Sequence, residues 1–177
     1  MLPSSSLAVF LGALATALAC DIPGDTPSNT IVEGFAIQVQ NASYPIIHNR
    51  MMNLWPAGGG DNHLYLSPAG DAASNLTLAD GVINRGIIHA VINGEPQYTA
   101  DDNTTKIFMT QRGDPKALFD VAYGCNPDTD ALQKELVLRA RGTNPPTLGG
   151  HICVRLASGN RHEFRYSPPG NTGEQTL

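Results

Sequence analysis

Between Phe35 and Ser167 the chain is cut into short apolar runs, and turn chemistry fills the gaps. The runs read "FAIQVQN", "YPIIHN", "MMNLW", "HLYLS", "NLTLAD", "GIIHAVING", "TKIFMTQ", "ALFDVAYGC", "ELVLRA", "HICVRLA" and "HEFRYS". Several alternate apolar with polar, as at Phe35, Ile37 and Val39, or Leu64 and Leu66. That period places every second side chain on one face of a strand. The gaps hold Pro56-Ala57-Gly58, Ser67-Pro68-Ala69-Gly70, Asp80-Gly81, Asn93-Gly94, Arg112-Gly113-Asp114-Pro115 and Ser158-Gly159-Asn160. These residues pre-set the φ angles that tight turns need. A chain so punctuated is predicted to be all-β, with about ten to twelve short antiparallel strands.

The clearest element is a hairpin in which "ICVRLA" meets "RHEFRYS" across Ser158-Gly159-Asn160. One short helix is predicted near residues 130–136, with Asp130 as its cap and Gln133 reaching back. Leu136, Leu138 and Ala140 then alternate as a strand. "NHLYLSPAG" and "RHEFRYSPPG" echo each other, and "KIFMTQRG" is a third, weaker copy. The echo fits a β-trefoil-like barrel, and a β-sandwich fits the strand pattern as well.

Residues 1–19 read as a signal peptide. An apolar run from Leu7 to Ala19 is shorter than the roughly 20 residues of a membrane span, and Ala17-Leu18-Ala19 suits a signal peptidase. The "ALAC" that follows also admits a bacterial lipoprotein box. Residues 20–34 then form an irregular arm, 35–170 one all-β domain, and 171–177 a disordered tail. No membrane anchor is expected in the mature chain. Export agrees with N-x-[ST] triplets at Asn41, Asn75 and Asn103, the expected glycosylation sites.

The three cysteines are Cys20, Cys125 and Cys153. An oxidising compartment favours one disulfide. Alternation places Cys153 with Arg155 on the face opposite Ile152 and Val154. A lone thiol on a plain solvent face is a liability, so Cys125–Cys153 is the expected bond, although Cys20 is able to replace either partner.

Candidate chemistry is sparse. Gly58-Gly59-Gly60 precedes a strand pattern with no Lys-Ser/Thr pair, so it reads as a connection between strands rather than a phosphate loop. Asp61 and His63 share a strand face, but no H-x-H or H-E-x-x-H motif accompanies them; no metal and no cofactor are expected. G-x-S-x-G is absent. Asp80, Glu95, Asp120 and Glu163 adjoin strands and are the acids available to a hydrolase built on dispersed carboxylates. The DxD at Asp128 and Asp130 lacks the later ligands of an EF-hand. Trp55, with Tyr44 and Tyr65, offers either a sugar-stacking platform or core aromatics. The net charge of −5 excludes a nucleic-acid-binding composition, although residues 132–177 are locally basic.

The segments "NASYPIIHNRMMNLWPAGGGDNHLYLSPAGD", "LTLADGVINRGIIHAVINGE", "DNTTKIFMTQRGDPKALFDVAYGCNPDTDAL" and "ICVRLASGNRHEFRYSPPG" resemble a family of small secreted fungal proteins classed as a domain of unknown function. The resemblance runs from roughly Phe35 to Gly170. Leu76 to Ile83 also resembles the "F-x-L-x-D-G-x-L" segment of fungal wall-associated proteins, with Leu76 in place of the aromatic and Val82-Ile83 departing at the end. The resemblance implies a fungal, extracellular origin and carries over no catalytic residue. The function expected is that of a secreted, non-catalytic, monomeric protein whose partner is cell-wall polysaccharide or a host surface protein. The alternatives are a secreted hydrolase and an effector that binds a host protein.

Overall fold

A computed structural model of the chain describes residues 20–66, 72–94, 98–99 and 101–172. The expected signal peptide, Ser67-Pro68-Ala69-Gly70, Glu95 and the last five residues lie outside the described residues. Thirteen strands follow one another: β1 (Ile31–Phe35), β2 (Gln38–Val39), β3 (Arg50–Gly58), β4 (Asp61–Leu66), β5 (Leu76–Ala79), β6 (Val82–Arg85) and β7 (Ile88–Ile92), then β8 (Thr105–Thr110), β9 (Lys116–Cys125), β10 (Leu132–Gly142), β11 (Thr147–Leu148), β12 (His151–Ala157) and β13 (Arg161–Ser167). All pairings are antiparallel, and the sheet curls into a half-barrel. The all-β class is therefore what the alternation and the turns indicate.

The turns act where the sequence placed them. Gly58, Gly59 and Gly60 all take positive φ (87°, 62° and 86°) and join β3 to β4. Asp80 and Gly81 make the two-residue β5–β6 turn with φ of 49° and 80°. That turn docks on β9: the Phe119 N–H donates to the Gly81 carbonyl at 2.7 Å, and a Cβ on Gly81 would lie 2.3 Å from the Phe119 oxygen. Only glycine fits so close an approach at this φ. The last hairpin has the anticipated register, with Ala157 opposite Arg161 and His151 opposite Ser167.

The three echoing segments become β4, β13 and β8, and each pairs with the other two. They form the centre of the sheet. On one face of it lie Leu64, Leu66, Ile107, Met109, Phe164 and Tyr166, all buried in a single apolar cluster. Their alternate neighbours face the other way. Closure fails on one side. β11 covers β10 only at Ala140 and Arg141, and β12 pairs with β13 alone among the described strands.

Several expectations are corrected. No helix forms at 130–136. Asn126 Oδ1 accepts the N–H groups of Asp128 and Thr129, and Asp130 sits at φ 56°, so the segment is a hairpin loop from β9 into β10. Asn126, four residues before the proposed cap, sets an Asx turn that commits the backbone locally to a loop instead. The arm expected to be irregular contributes β1, which pairs with β5 through Ile31–Leu78 and Phe35–Leu76. Asn171, placed in the tail, donates to the Asp102 carbonyl and to Ser167 Oγ, each at 2.9 Å.

The expected Cys125–Cys153 bond is also overturned. Cys20 bonds Cys125, with Cα atoms 5.8 Å apart, and Cys153 is free. Cys153 does lie opposite Ile152 and Val154, but its face is not plain solvent. Asp102, Arg155 and Arg165 surround it, and its thiol donates to the Arg165 carbonyl at 3.7 Å. Burial pushes the thiol pKa up to about 11. The thiol stays protonated and unreactive, and needs no disulfide partner.

Candidate functional site

The two faces of the sheet carry different chemistry. The inner face is not completely filled. A cavity of about 770 Å³ opens among the core side chains Met52, Leu64, Ile83, Ala90, Ile107 and Phe119. Its mouth lies on the unclosed side, between residues 35–41, β10 and β12, where Gln40, Gln133, Lys134 and Glu135 bring polar atoms to the rim. Residues 36–49 are tied across that side. Gln133 Nε2 donates to Gln40 Oε1 at 2.6 Å. The His48 ring accepts the Asn41 N–H at Nδ1 (3.0 Å), which leaves Nε2–H to donate to Asp128 at 3.0 Å. Asn49 donates to the same carboxylate at 2.6 Å, and these bonds hold the Asp128 carboxyl below its ordinary pKa.

The outer face is ionic and aromatic. Arg165, 1% exposed, donates to Thr104 Oγ1 (2.9 Å), the Thr104 carbonyl (2.6 Å) and Glu163 Oε2 (3.2 Å). Glu163, 2% exposed, also has Lys106 Nζ at 3.2 Å and Arg155 at 3.8 Å. Arg155 reaches Asp102 at 3.2 Å. Burial alone would raise the Asp102 pKa, yet the bonds from Thr99 and Thr104 and the Arg155 charge leave it lowered. Beside this network runs a row of rings and cations. Arg161 stacks on Trp55 and on Tyr65, His63 meets Tyr65 and Phe108 at 6.1 and 6.3 Å, and Arg112 covers Phe108 at 5.4 Å.

This geometry assigns the residues singled out in the sequence. Asp61 pairs with Arg112 at 3.1 Å, and His63 is part of the ring stack. Among the described residues no three His, Cys, Asp or Glu gather as a metal site would require. Asp80 belongs to a turn; Asp120 takes Asn29 at 2.7 Å and Arg139 at 3.2 Å; Glu163 is buried in the ionic network. Tyr65 is buried, Trp55 is 49% exposed and Tyr44 lies at the cavity rather than beside them. Asn41, Asn75 and Asn103 are all exposed. Arg161, Arg165 and Asp102 went unnoticed. Their signal was present: Arg161, Glu163 and Arg165 alternate on one strand, which puts two cations and an acid on one face.

One buried histidine, His162, and one half-buried, His63, make stability pH-dependent. Burial, then Lys106, lowers the His63 pKa from its ordinary 6.5; burial, then Arg50, lowers that of His162. The unfolded chain therefore binds more protons below pH 6.5. Their contribution is complete above that value and is lost as pH falls through the folded pKa values. The melting temperature should fall between pH 7 and pH 5. The double variant His63→Gln, His162→Gln should flatten that dependence, and an unchanged slope would refute the assignment.

A family model described as Domain of unknown function (DUF7909) matches residues 21–176. The chain belongs to the DUF7909 family. No curated protein and no solved structure matches it. The DUF7909 match takes in every strand, the cavity and the outer face, and starts one residue after Cys20. No helix among the described residues of this DUF7909 domain is long and apolar enough to cross a membrane.

Proposed function

We propose that this DUF7909 protein is an exported, non-catalytic binding protein of fungal origin that works as a monomer and holds a small, largely apolar molecule inside its half-barrel. The observation that carries the reading is the cavity. Its volume of about 770 Å³ is that of a small-molecule site, and apolar side chains line it beneath a few polar ones at the mouth. Filling it returns the dispersion contacts that its lining lacks. The rim amides of Gln40 and Gln133 suit a ligand with one polar end. Export is supported by the N-terminal apolar run, the exposed sequons and a disulfide. A hydrolase is disfavoured because Asp80, Asp120 and Glu163 each serve a separate structural contact.

Titration with the apolar fluorophore N-phenyl-1-naphthylamine tests this. The expected result is saturable enhancement at one probe per chain. Ala90→Leu puts three extra carbons into the cavity wall and should weaken binding at least tenfold. Absence of enhancement, or equal binding by the variant, would reject the reading.

A further inference from the structure

Among the described residues, most cations beside the outer-face ionic network have a carboxylate partner. Lys106, Arg155 and Arg165 each have a carboxylate at 3.2 Å, and Arg112 has one at 3.1 Å. Arg161 has none among the described residues. Its guanidinium carbon is 4.8 Å from the Trp55 ring centroid and 4.7 Å from that of Tyr65, and its Nε donates to the Ser158 carbonyl at 3.1 Å. Two rings and that bond fix the plane of the guanidinium. Its two terminal nitrogens make no hydrogen bond among the described residues.

Trp55 sits on the same face with half of its surface exposed, backed by Arg161. The β3–β4 turn beside it is three glycines with open space where side chains would be. An exposed indole is a platform for the C–H face of a pyranose ring. A flat, pre-positioned guanidinium offers paired N–H donors to a carboxylate and loses little freedom when it binds. A neutral sugar would use only the first of these, and a simple anion only the second.

We propose that Trp55 and Arg161 form a subsite for an acidic glycan, with a uronate ring on the indole and its carboxylate on the guanidinium edge. The subsite is on the face opposite the cavity and does not depend on what the cavity holds.

Affinity electrophoresis of the full mature chain through gels containing polygalacturonate tests the proposal, with fully methyl-esterified polygalacturonate as the uncharged twin. The wild-type protein should be retarded by the first and not the second, and added salt should weaken the retardation. Trp55→Ala and Arg161→Gln should each reduce retardation at least tenfold, while Trp55→Phe should restore much of it. Arg139→Gln, which removes an exposed cation on β10, should leave it unchanged. No retardation, equal retardation by the ester, or an equal loss in Arg139→Gln overturns the proposal. Trp55 is exposed, so Trp55→Ala decides the matter alone if Arg161→Gln does not fold.

Discussion

Serine at Cys20 or at Cys125 is expected to lower the stability of the fold by about 4–5 kcal/mol, the chain-entropy value for a loop of roughly a hundred residues. The two cysteines are 105 residues apart, so the bond removes a large set of conformations from the unfolded chain. Little else would hold the first residues of the arm. The Cys20 N–H donates to Asp130 at an exposed position, and the next firm tie is Asn29. Asn29 accepts from the Val121 N–H at 2.8 Å, donates to Asp120 at 2.7 Å and offers its carbonyl to Gly81 at 2.8 Å. Residues 20–28 should therefore fray in either variant while β1 stays paired. Cys153→Ala should lose about 1 kcal/mol, because only a half-buried thiol goes. Non-reducing peptide mapping checks the pairing. A peptide joining Cys125 to Cys153 would refute it, as would equal losses in all three variants.

Arg165→Met should destabilise the fold by about 3–5 kcal/mol, the range for breaking a buried ion pair by removing one partner. The side chain is buried and donates to Glu163, to Thr99 and twice to Thr104. Methionine fills similar space but removes two bonds to Thr104, whose carbonyl keeps the Thr99 N–H at 2.9 Å, and leaves Glu163 with longer-range or half-exposed partners, Arg155 at 3.8 Å and Lys106 at 3.2 Å. For a chain of this size each kcal/mol moves the melting temperature by about 2–4 °C, so a drop on the order of 10 °C is expected. Arg139→Met is the contrast. Arg139 pairs with Asp120 at the same 3.2 Å, but both side chains are more than two-fifths exposed, and such pairs contribute about 0–1 kcal/mol. Similar losses in the two variants would mean that the network does not gain its weight from burial.

The period-two alternation made the inner face readable residue by residue. Leu64 and Leu66, Leu76 and Leu78, Ile107 and Met109 all point into the one cluster. Turn chemistry was as informative, because Asp-Gly and Ser-Gly-Asn fix local backbone geometry without help from the rest of the chain. What failed was non-local. The disulfide choice assumed that the face opposite the core is solvent. That depends on Thr99 and Thr104 taking the Arg165 guanidinium of β13, which no local pattern encodes. The helix at 130–136 failed because capping residues and Asx-turn residues are the same residues, and the long β9–β10 pairing selected the turn. The cavity was invisible for a related reason. Alternation tells which side chains face inward, but whether they fill the interior depends on how far the sheet curls. Arg161 was passed over because its meaning lies in the two rings it meets, Trp55 from β3 and Tyr65 from β4.

Methyl-detected NMR of the protein, titrated with N-phenyl-1-naphthylamine, tests the binding reading most directly. Resonances of Leu64, Ile83 and Ile107, which line the cavity, should shift together and saturate at one equivalent. Those of Leu148 and Leu156, exposed and outside it, should stay in place. Shifts confined to exposed methyls, or none at all, would contradict a ligand held inside the half-barrel.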